Sequence, residues 1–145
     1  MVLPMVDKEI LKNRLTLLAE YISDLEEVRE IALNIFLKDK VKRRFVERTL
    51  QLAIEACLDI GSHLISDLQL REPEKNRDIF IILVENGILA EQARESFAAM
   101  AGFRNIIVHD YARLDPEIVY RSLRQGIPDL KYFVRTISEK YLLGS

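Results

Sequence analysis

Ten residues, numbers 102–111, gather the side chains best suited to chemistry in this chain. One of the chain's two histidines, His109, lies here, and histidine exchanges a proton near neutral pH. Arg104 precedes it, and a guanidinium stays charged and matches the shape of a phosphate group. An acid–base group beside a phosphate-binding group is suited to phosphodiester chemistry.

The spacing of these residues limits which of them can meet. Five residues along an α-helix turn through about 500°, so Arg104 and His109 would project about 140° apart. Asn105 and His109 share a face, so the Asn105 amide could fix the imidazole tautomer. Asp110 is a candidate orienting carboxylate, with a solvated surface charge as the equal alternative. The arginine must reach around the helix, or a second copy must supply its own pair across a two-fold axis. We favour the second copy.

Length and composition set the class of protein. The chain has 145 residues, with 49% apolar and 30% charged side chains, which predicts one soluble globular domain over residues 1–145. The net charge of −2 means that only local basic clusters can attract nucleic acid. No apolar run approaches the roughly 20 residues of a membrane span, and residues 1–6 do not have the pattern of a signal peptide. We therefore expect a cytoplasmic protein.

Hydrophobic periodicity predicts that these residues are carried on helices. Apolar residues recur every three to four positions from about Asp7 to Leu37, which predicts one long first helix. Asp39 is a candidate N-cap for a second helix that ends near Leu68. The two would form an antiparallel hairpin.

The second half of the chain predicts further helices. A short apolar helix is expected over 79–84, capped by Asn76 or Asp78, and Asn86-Gly87 should end it. Another helix is expected over about 89–111. The last should begin at Asp115-Pro116-Glu117, and Gly126 and Pro128 should kink or split it. The predicted fold is all-α, an antiparallel bundle of four to six helices.

Positive charge concentrates at the turn between the first two helices, over residues 38–44. The simplest interpretation is a solvated helix start. The functional interpretation is a patch that follows phosphates. Its candidate RNA-binding residues are Lys40, Lys42, Arg43 and Arg44.

Other residue types that could do chemistry give weaker signals. Cys57 lies on an apolar stripe and has no second cysteine to pair with, so it is expected in the core. His63 lies beside Leu64 and Ile65 and is expected to be structural. Two histidines and one cysteine at these spacings form no zinc ligand set, and no clustered acidic motif favours magnesium. We predict no metal and no cofactor.

The order Arg104, four residues, His109, one residue, Tyr111 resembles the R-x4-H-x-Y signature of HEPN-domain ribonucleases, in particular the HepT toxins. A bare R-x4-H would be a weak signal, but the likeness continues on both sides of it. It covers Met100-Ala101-Gly102-Phe103-Arg104-Asn105, Val108-His109-Asp110-Tyr111, Asp115-Pro116-Glu117-Ile118-Val119, and Glu47-Arg48-Thr49-Leu50-Gln51.

The resemblance implies an HEPN-like homodimer whose paired motifs cleave RNA without a metal. It makes Arg104 and His109 the catalytic pair and Asn105 a supporting polar residue. It also implies a partner, the MntA nucleotidyltransferase antitoxin, which silences the toxin by adding AMP to Tyr111. Without the resemblance, Tyr111 reads as an amphipathic residue at the edge of the core.

Three functions remain open at this point. RNA supplies its own nucleophile, the 2′-hydroxyl, so a base, an acid and a cation would suffice for a metal-independent ribonuclease. The alternative is a non-catalytic module that binds nucleotide or escorts a nucleotidyltransferase. A structural dimer without a ligand is the third.

Overall fold

Helices form the regular structure of residues 5–143, the part of the chain that the computed structural model describes. This part contains six α-helices, two short 3₁₀ turns and no strand, which confirms the all-α prediction. The helices are α1 (Lys8–Glu27), α2 (Leu33–Lys38), α3 (Lys40–Asp67), α4 (Asn76–Glu85), α5 (Arg94–His109) and α6 (Pro116–Tyr141), and the turns are Glu91–Ala93 and Tyr111–Arg113. In this described range, no helix has the length and apolarity needed to cross a bilayer.

The first helix is shorter than its apolar pattern predicts. The chain leaves the helical conformation between α1 and α2, so a single helix from Asp7 to Leu37 is wrong. Side chains of α6 bind backbone carbonyls in the break. The Tyr120 hydroxyl donates to the Ile31 carbonyl at 2.6 Å, and Arg124 Nε donates to the Arg29 carbonyl at 3.2 Å. These contacts satisfy carbonyl groups that a continuous helix would have paired internally.

Helix α3 is the central element of the fold and packs against each of the other five α-helices. The Asp39 carboxylate caps its start by accepting the Lys42 backbone N–H at 3.0 Å, as predicted. Cys57 is buried on α3, and burial raises the pKa of its thiol. A core residue was predicted there, and the structure confirms it.

Helix α4 forms where the sequence alone also allowed a strand. The Asp78 carboxylate accepts the backbone N–H groups of Glu74 and Lys75, each at 3.1 Å. Gly87 follows the helix with φ of 71°, a conformation that glycine adopts at little cost. The helix begins at Asn76, earlier than the predicted 79, and Lys75 is its N-cap, so the predicted cap at Asn76 or Asp78 is wrong. Asp78 instead stabilises the start from the third helical position, and Asn86-Gly87 ends the helix as predicted.

An aromatic cluster fixes the position of α5, the helix that carries the motif. The ring centroids of Phe80 and Phe97 lie 5.1 Å apart, and Phe97 and Phe133 lie 5.8 Å apart. All three side chains are fully buried. Since they come from α4, α5 and α6, burial of their large apolar surfaces joins the three helices.

Helix α6 begins as predicted, with the Asp115 carboxylate accepting the Glu117 N–H at 2.9 Å. It then continues through Pro128 to Tyr141, so the predicted split does not occur. Leu123, Ile127 and Leu130 are all buried on its inner face. Packing on both sides of the proline therefore maintains the helix despite the missing backbone donor.

Candidate functional site

Helix α5 ends at His109, two residues earlier than Tyr111, where the sequence placed its end. Asp110 has φ of −145° and ψ of 43°, and Tyr111 begins the following 3₁₀ turn. Tyr111 is therefore not on the face of α5 that a continuous helix would give it. The turn lets its side chain point toward α3.

Arg104 also points toward α3, where Glu55 holds it. Arg104 Nε donates to Glu55 Oε2 at 3.0 Å, and the two side chains are 21% and 33% exposed. Gln51 Nε2 donates to the same carboxylate oxygen at 3.1 Å. A charge-assisted hydrogen bond in a partly buried place restricts the guanidinium more than a surface ion pair would.

Asn105 contacts Arg104, not His109. Its Oδ1 accepts Arg104 Nη1 at 3.2 Å and Asn76 Nδ2 at 3.4 Å. No hydrogen bond links Asn105 to His109 within residues 5–143. The hypothesis that Asn105 fixes the imidazole tautomer has no contact to support it, and a role in placing the arginine does.

His109 is the exposed residue at the last position of α5. The imidazole has neither an ion pair nor a hydrogen bond with another side chain in the described part of the chain. One copy of the chain therefore does not bring Arg104 and His109 together, which agrees with their predicted angular separation.

Tyr111 donates a hydrogen bond from its hydroxyl to Glu47 Oε1. The tyrosine is 50% exposed and the glutamate only 7%, so the hydroxyl reaches from the surface to a buried carboxylate. This hydrogen bond is the main cause that raises the pKa of Tyr111, with burial second, while nearby Arg44 acts in the opposite direction. Tyr111 is therefore a neutral phenol at physiological pH, and its hydroxyl proton is already hydrogen-bonded to the Glu47 carboxylate.

Polar side chains along α3 therefore hold two residues of the motif: Glu55 binds Arg104 and Glu47 binds Tyr111. We call Glu47, Gln51 and Glu55 the α3 row. Its members are four residues apart and so lie on one face of the helix. From the sequence, Glu47 and Gln51 stand out only as part of the family resemblance, and Glu55 does not stand out. The available signal was a glutamate next to buried Val46, on the apolar face of an amphipathic helix.

Asp110 lies away from the row. Its carboxylate pairs with Arg113 Nη1 at 3.3 Å, and the two side chains are 45% and 81% exposed. Exposed pairs of this kind stabilise a protein by at most about 1 kcal/mol. No contact between Asp110 and His109 is present among the residues that the structure describes.

The four basic candidates at the start of α3 differ in their surroundings. Arg43 is half-buried and donates to the Leu37 carbonyl, which gives it a structural contact. Lys40, Lys42 and Arg44 are exposed. Positive charge in the first turn of a helix opposes the helix dipole, so helix stability does not explain these residues.

Within residues 5–143, no three His, Cys, Asp or Glu side chains are placed to bind an ion. His63 Nε2 lies 3.7 Å from Asp59 Oδ1 on the same helix, a contact that fits the expected structural role.

Exposed apolar side chains lie within the motif segment of α5 and at the start of α3. Ile106 and Val108 on α5 are 40% and 38% exposed, and Val41 and Phe45 at the start of α3 are 79% and 40% exposed. Apolar groups gathered beside polar chemistry are typical of a surface that another protein covers.

The sequence of this chain is similar to those of known nucleases. The family model described as "Ribonuclease HepT-like" matches residues 18–137, which include the whole motif and the α3 row. A tRNA nuclease HepT of Aphanizomenon flos-aquae is 30% identical over 138 residues, covering 95% of this chain and 93% of the relative. An mRNA nuclease HepT of Shewanella oneidensis is 33% identical over 102 residues, covering 70% of this chain and 77% of the relative.

A solved structure extends the likeness to the fold. A tri-AMPylated HEPN toxin of Shewanella oneidensis, in complex with MNT antitoxin, superimposes with a TM-score of 0.83 at 30% identity. The match covers 93% of this chain and 99% of that one. The expected HEPN-like bundle is therefore confirmed.

Proposed function

This chain belongs to the Ribonuclease HepT-like family, and on that basis we propose that it is the toxin of a toxin–antitoxin pair. It cleaves RNA with Arg104 and His109, and each active centre is built from two copies of the chain. An RNA substrate also implies that the protein acts in the cytoplasm.

The reaction uses the 2′-hydroxyl of RNA as its nucleophile. The His109 imidazole of one copy takes the 2′-hydroxyl proton while the 2′ oxygen attacks the phosphorus. The bond from phosphorus to the 5′ oxygen breaks, and that oxygen takes a proton from the second copy's imidazole. Arg104 offsets the negative charge that develops on the phosphate. The products are a 2′,3′-cyclic phosphate and a free 5′-hydroxyl.

One observation supports this proposal above the others. A single chain holds Arg104 in a fixed position and exposes His109, but within residues 5–143 it makes no hydrogen bond between the two side chains. Glu55 and Asn105 hold the guanidinium, while the imidazole is exposed at the end of α5. A two-fold pairing of chains supplies what one copy lacks, and closed two-fold dimers are the commonest assembly of soluble proteins. The exposed apolar groups on α5, Ile106 and Val108, would be covered in such a dimer.

The exposed basic residues at the start of α3 extend the site toward the RNA backbone. Arg44 lies close enough to Tyr111 to affect its pKa, and Tyr111 lies two residues beyond His109. Lys40, Lys42 and Arg44 would therefore bind phosphates next to the scissile one. Each such contact contributes a salt-dependent share of affinity.

Modification of Tyr111 by a cognate MntA-type nucleotidyltransferase would silence the enzyme. The similar toxin of Shewanella oneidensis is tri-AMPylated and complexed with MNT antitoxin. In this chain, Tyr111 is half-exposed and so can be reached by a partner. AMP attached there would place a bulky anion between Arg44 and the motif, where it repels RNA by charge and blocks it by size.

The test is RNA cleavage by the purified chain in EDTA, beside His109→Ala. We expect the wild type to cut and the variant to lose at least about 10³-fold in rate, since both proton transfers depend on the imidazole. An RNA with 2′-O-methyl groups at every position should resist cleavage.

Other outcomes would point elsewhere. No cleavage by the wild type, with retained nucleotide binding, would favour the escort module. Equal cleavage of the 2′-O-methyl RNA would rule out the 2′-hydroxyl as the nucleophile.

A further inference from the structure

The Tyr111–Glu47 contact is an unusual way to hold a surface tyrosine. A half-exposed phenol donates to a carboxylate that is only 7% exposed. Burial of a charged carboxylate is costly unless it is hydrogen-bonded, so Glu47 keeps the phenol oriented while the ring edge remains open to a partner. The arrangement joins the hydroxyl of a half-exposed tyrosine to a fixed proton acceptor.

We propose that Glu47 is the general base for nucleotidyl transfer to Tyr111, so that the toxin itself provides part of the chemistry that silences it. The inference rests on the proposed silencing of the toxin by AMP at Tyr111. It adds a catalytic residue on the acceptor side of that reaction, in addition to whatever the transferase contributes.

AMP transfer is a single displacement at the α-phosphorus of ATP. Tyr111 Oη forms a bond to the α-phosphorus of ATP, and the bond from that phosphorus to the bridging oxygen of the leaving pyrophosphate breaks. The phenol proton moves along the existing hydrogen bond to Glu47 Oε1. The products are the tyrosyl–AMP ester, pyrophosphate and a protonated Glu47.

The surroundings of the hydroxyl support this direction of proton transfer. The charged groups that affect the Tyr111 hydroxyl are Glu47 and Arg44, both on α3. Arg44 is exposed and can bind the triphosphate of the incoming nucleotide, where its charge complements the developing negative charge. The hydrogen bond keeps Tyr111 as a neutral phenol, so the reaction needs a base at the moment of attack.

Single-turnover transfer of AMP provides the test. The full chain is incubated with its nucleotidyltransferase, Mg²⁺ and ATP, and the adduct on Tyr111 is quantified by peptide mass mapping. Glu47→Gln keeps the size and an acceptor oxygen but is a far weaker base. We expect a loss of about 100-fold near pH 7, and no change for Glu20→Gln, which removes an exposed charge on α1.

The pH dependence separates a base from a merely structural group. The ratio of wild-type to Glu47→Gln rates should fall as pH rises from about 7 to 9, because hydroxide progressively replaces the missing base by forming tyrosinate. A purely structural role would leave that ratio constant. Glu47→Asp, which retains a carboxylate one methylene shorter, should give an intermediate rate and keep the wild-type pH profile.

The outcomes are distinguishable. Equal rates for wild type and Glu47→Gln, with parallel pH profiles, would overturn the role of Glu47 and leave the silencing of the toxin intact. If Glu47→Gln fails to fold, a Glu47→Asp rate equal to that of wild type, despite the displaced carboxylate, would overturn it equally. Absence of any Tyr111 adduct in the wild type would overturn the silencing step itself.

Discussion

The motif residues of this chain differ most in what restrains them. Arg104 is held by Glu55 and Asn105, Tyr111 is held by Glu47, and His109 is exposed at a helix end. A guanidinium that binds a phosphate benefits from a fixed position. An imidazole that must exchange protons with the substrate benefits from access.

The first prediction concerns the ion pair between Glu55 and Arg104. Glu55→Ala removes its ion-pair partner while leaving the motif untouched. We expect kcat for RNA cleavage to fall about tenfold because the guanidinium loses its fixed orientation. KM should not rise, because the arginine keeps its positive charge and gains freedom to bind phosphate.

Asp59→Asn is the matched control, since Asp59 lies on the same helix but pairs with Arg14 on α1. Steady-state kinetics on one RNA measures both parameters. An unchanged kcat in Glu55→Ala would show that the ion pair does not position Arg104 for catalysis.

A second prediction concerns a carboxylate outside the motif. Asp129 lies in a cleft of about 230 Å³ between α3, α5 and α6, and burial raises the pKa of its carboxyl above the ordinary 3.8. The folded protein therefore favours the protonated form, and stability falls as pH rises through the folded pKa. Asp129→Asn should increase the free energy of unfolding at pH 7 by about 0.5 kcal/mol, a low figure because the group still reaches water.

Urea unfolding at about pH 7 and about pH 3 checks this. The gain should vanish at the acidic pH, where the carboxyl is protonated in both states. A gain of the same size at both pH values would assign the effect to packing.

At the residue scale, the sequence revealed the motif and the N-caps of α3 and α6, but not the side chains that hold the motif residues. Caps depend on residues two or three positions apart, such as Asp115 and Glu117. The partners of the motif are remote, because Glu55 and Arg104 are 49 positions apart and Glu47 and Tyr111 are 64 apart. Only the packing of α5 on α3 reveals them.

At the scale of elements, tertiary contacts determine where helices begin and end at the places where the local sequence pattern predicted this wrongly. The apolar period runs through the break between α1 and α2, yet Tyr120 and Arg124 of α6 bind carbonyls there. Conversely, Pro128 did not divide α6 because Ile127 and Leu130 beside it are buried. Periodicity reports which face is buried, and it reports less well where a helix ends.

Glycine substitutions test the packing of these elements. A Cβ at Gly61 of α3 would lie 2.5 Å from Ile79 Cγ2 of α4, so in Gly61→Ala either the Ile79 side chain or the helix must shift. We expect a loss of about 1–2 kcal/mol after allowing for alanine's better helix propensity.

Gly102→Ala is the control, because no atom lies within 4 Å of the added Cβ on α5. It should gain up to about 1 kcal/mol from helix propensity alone. Thermal unfolding of the two variants would contradict the structure if Gly61→Ala were as stable as Gly102→Ala.

At the scale of the whole molecule, one chain is a scaffold and two chains are the proposed enzyme. The bundle fixes α5 through the aromatic cluster and directs Arg104 inward toward α3. The apolar groups Ile106 and Val108 remain exposed beside His109. The sequence predicted the angular separation that favours a second copy, but the shape of the paired surface depends on packing between chains.

Subunit mixing tests the shared active centre most directly. Wild-type chain is refolded together with an equal amount of the Arg104→Ala/His109→Ala double variant, and the rate of RNA cleavage in EDTA is compared with wild type at the same total concentration. If each centre needs both copies, mixed dimers are inactive and the rate falls to about a quarter. A rate of about half would show that each chain acts alone and would contradict the shared centre.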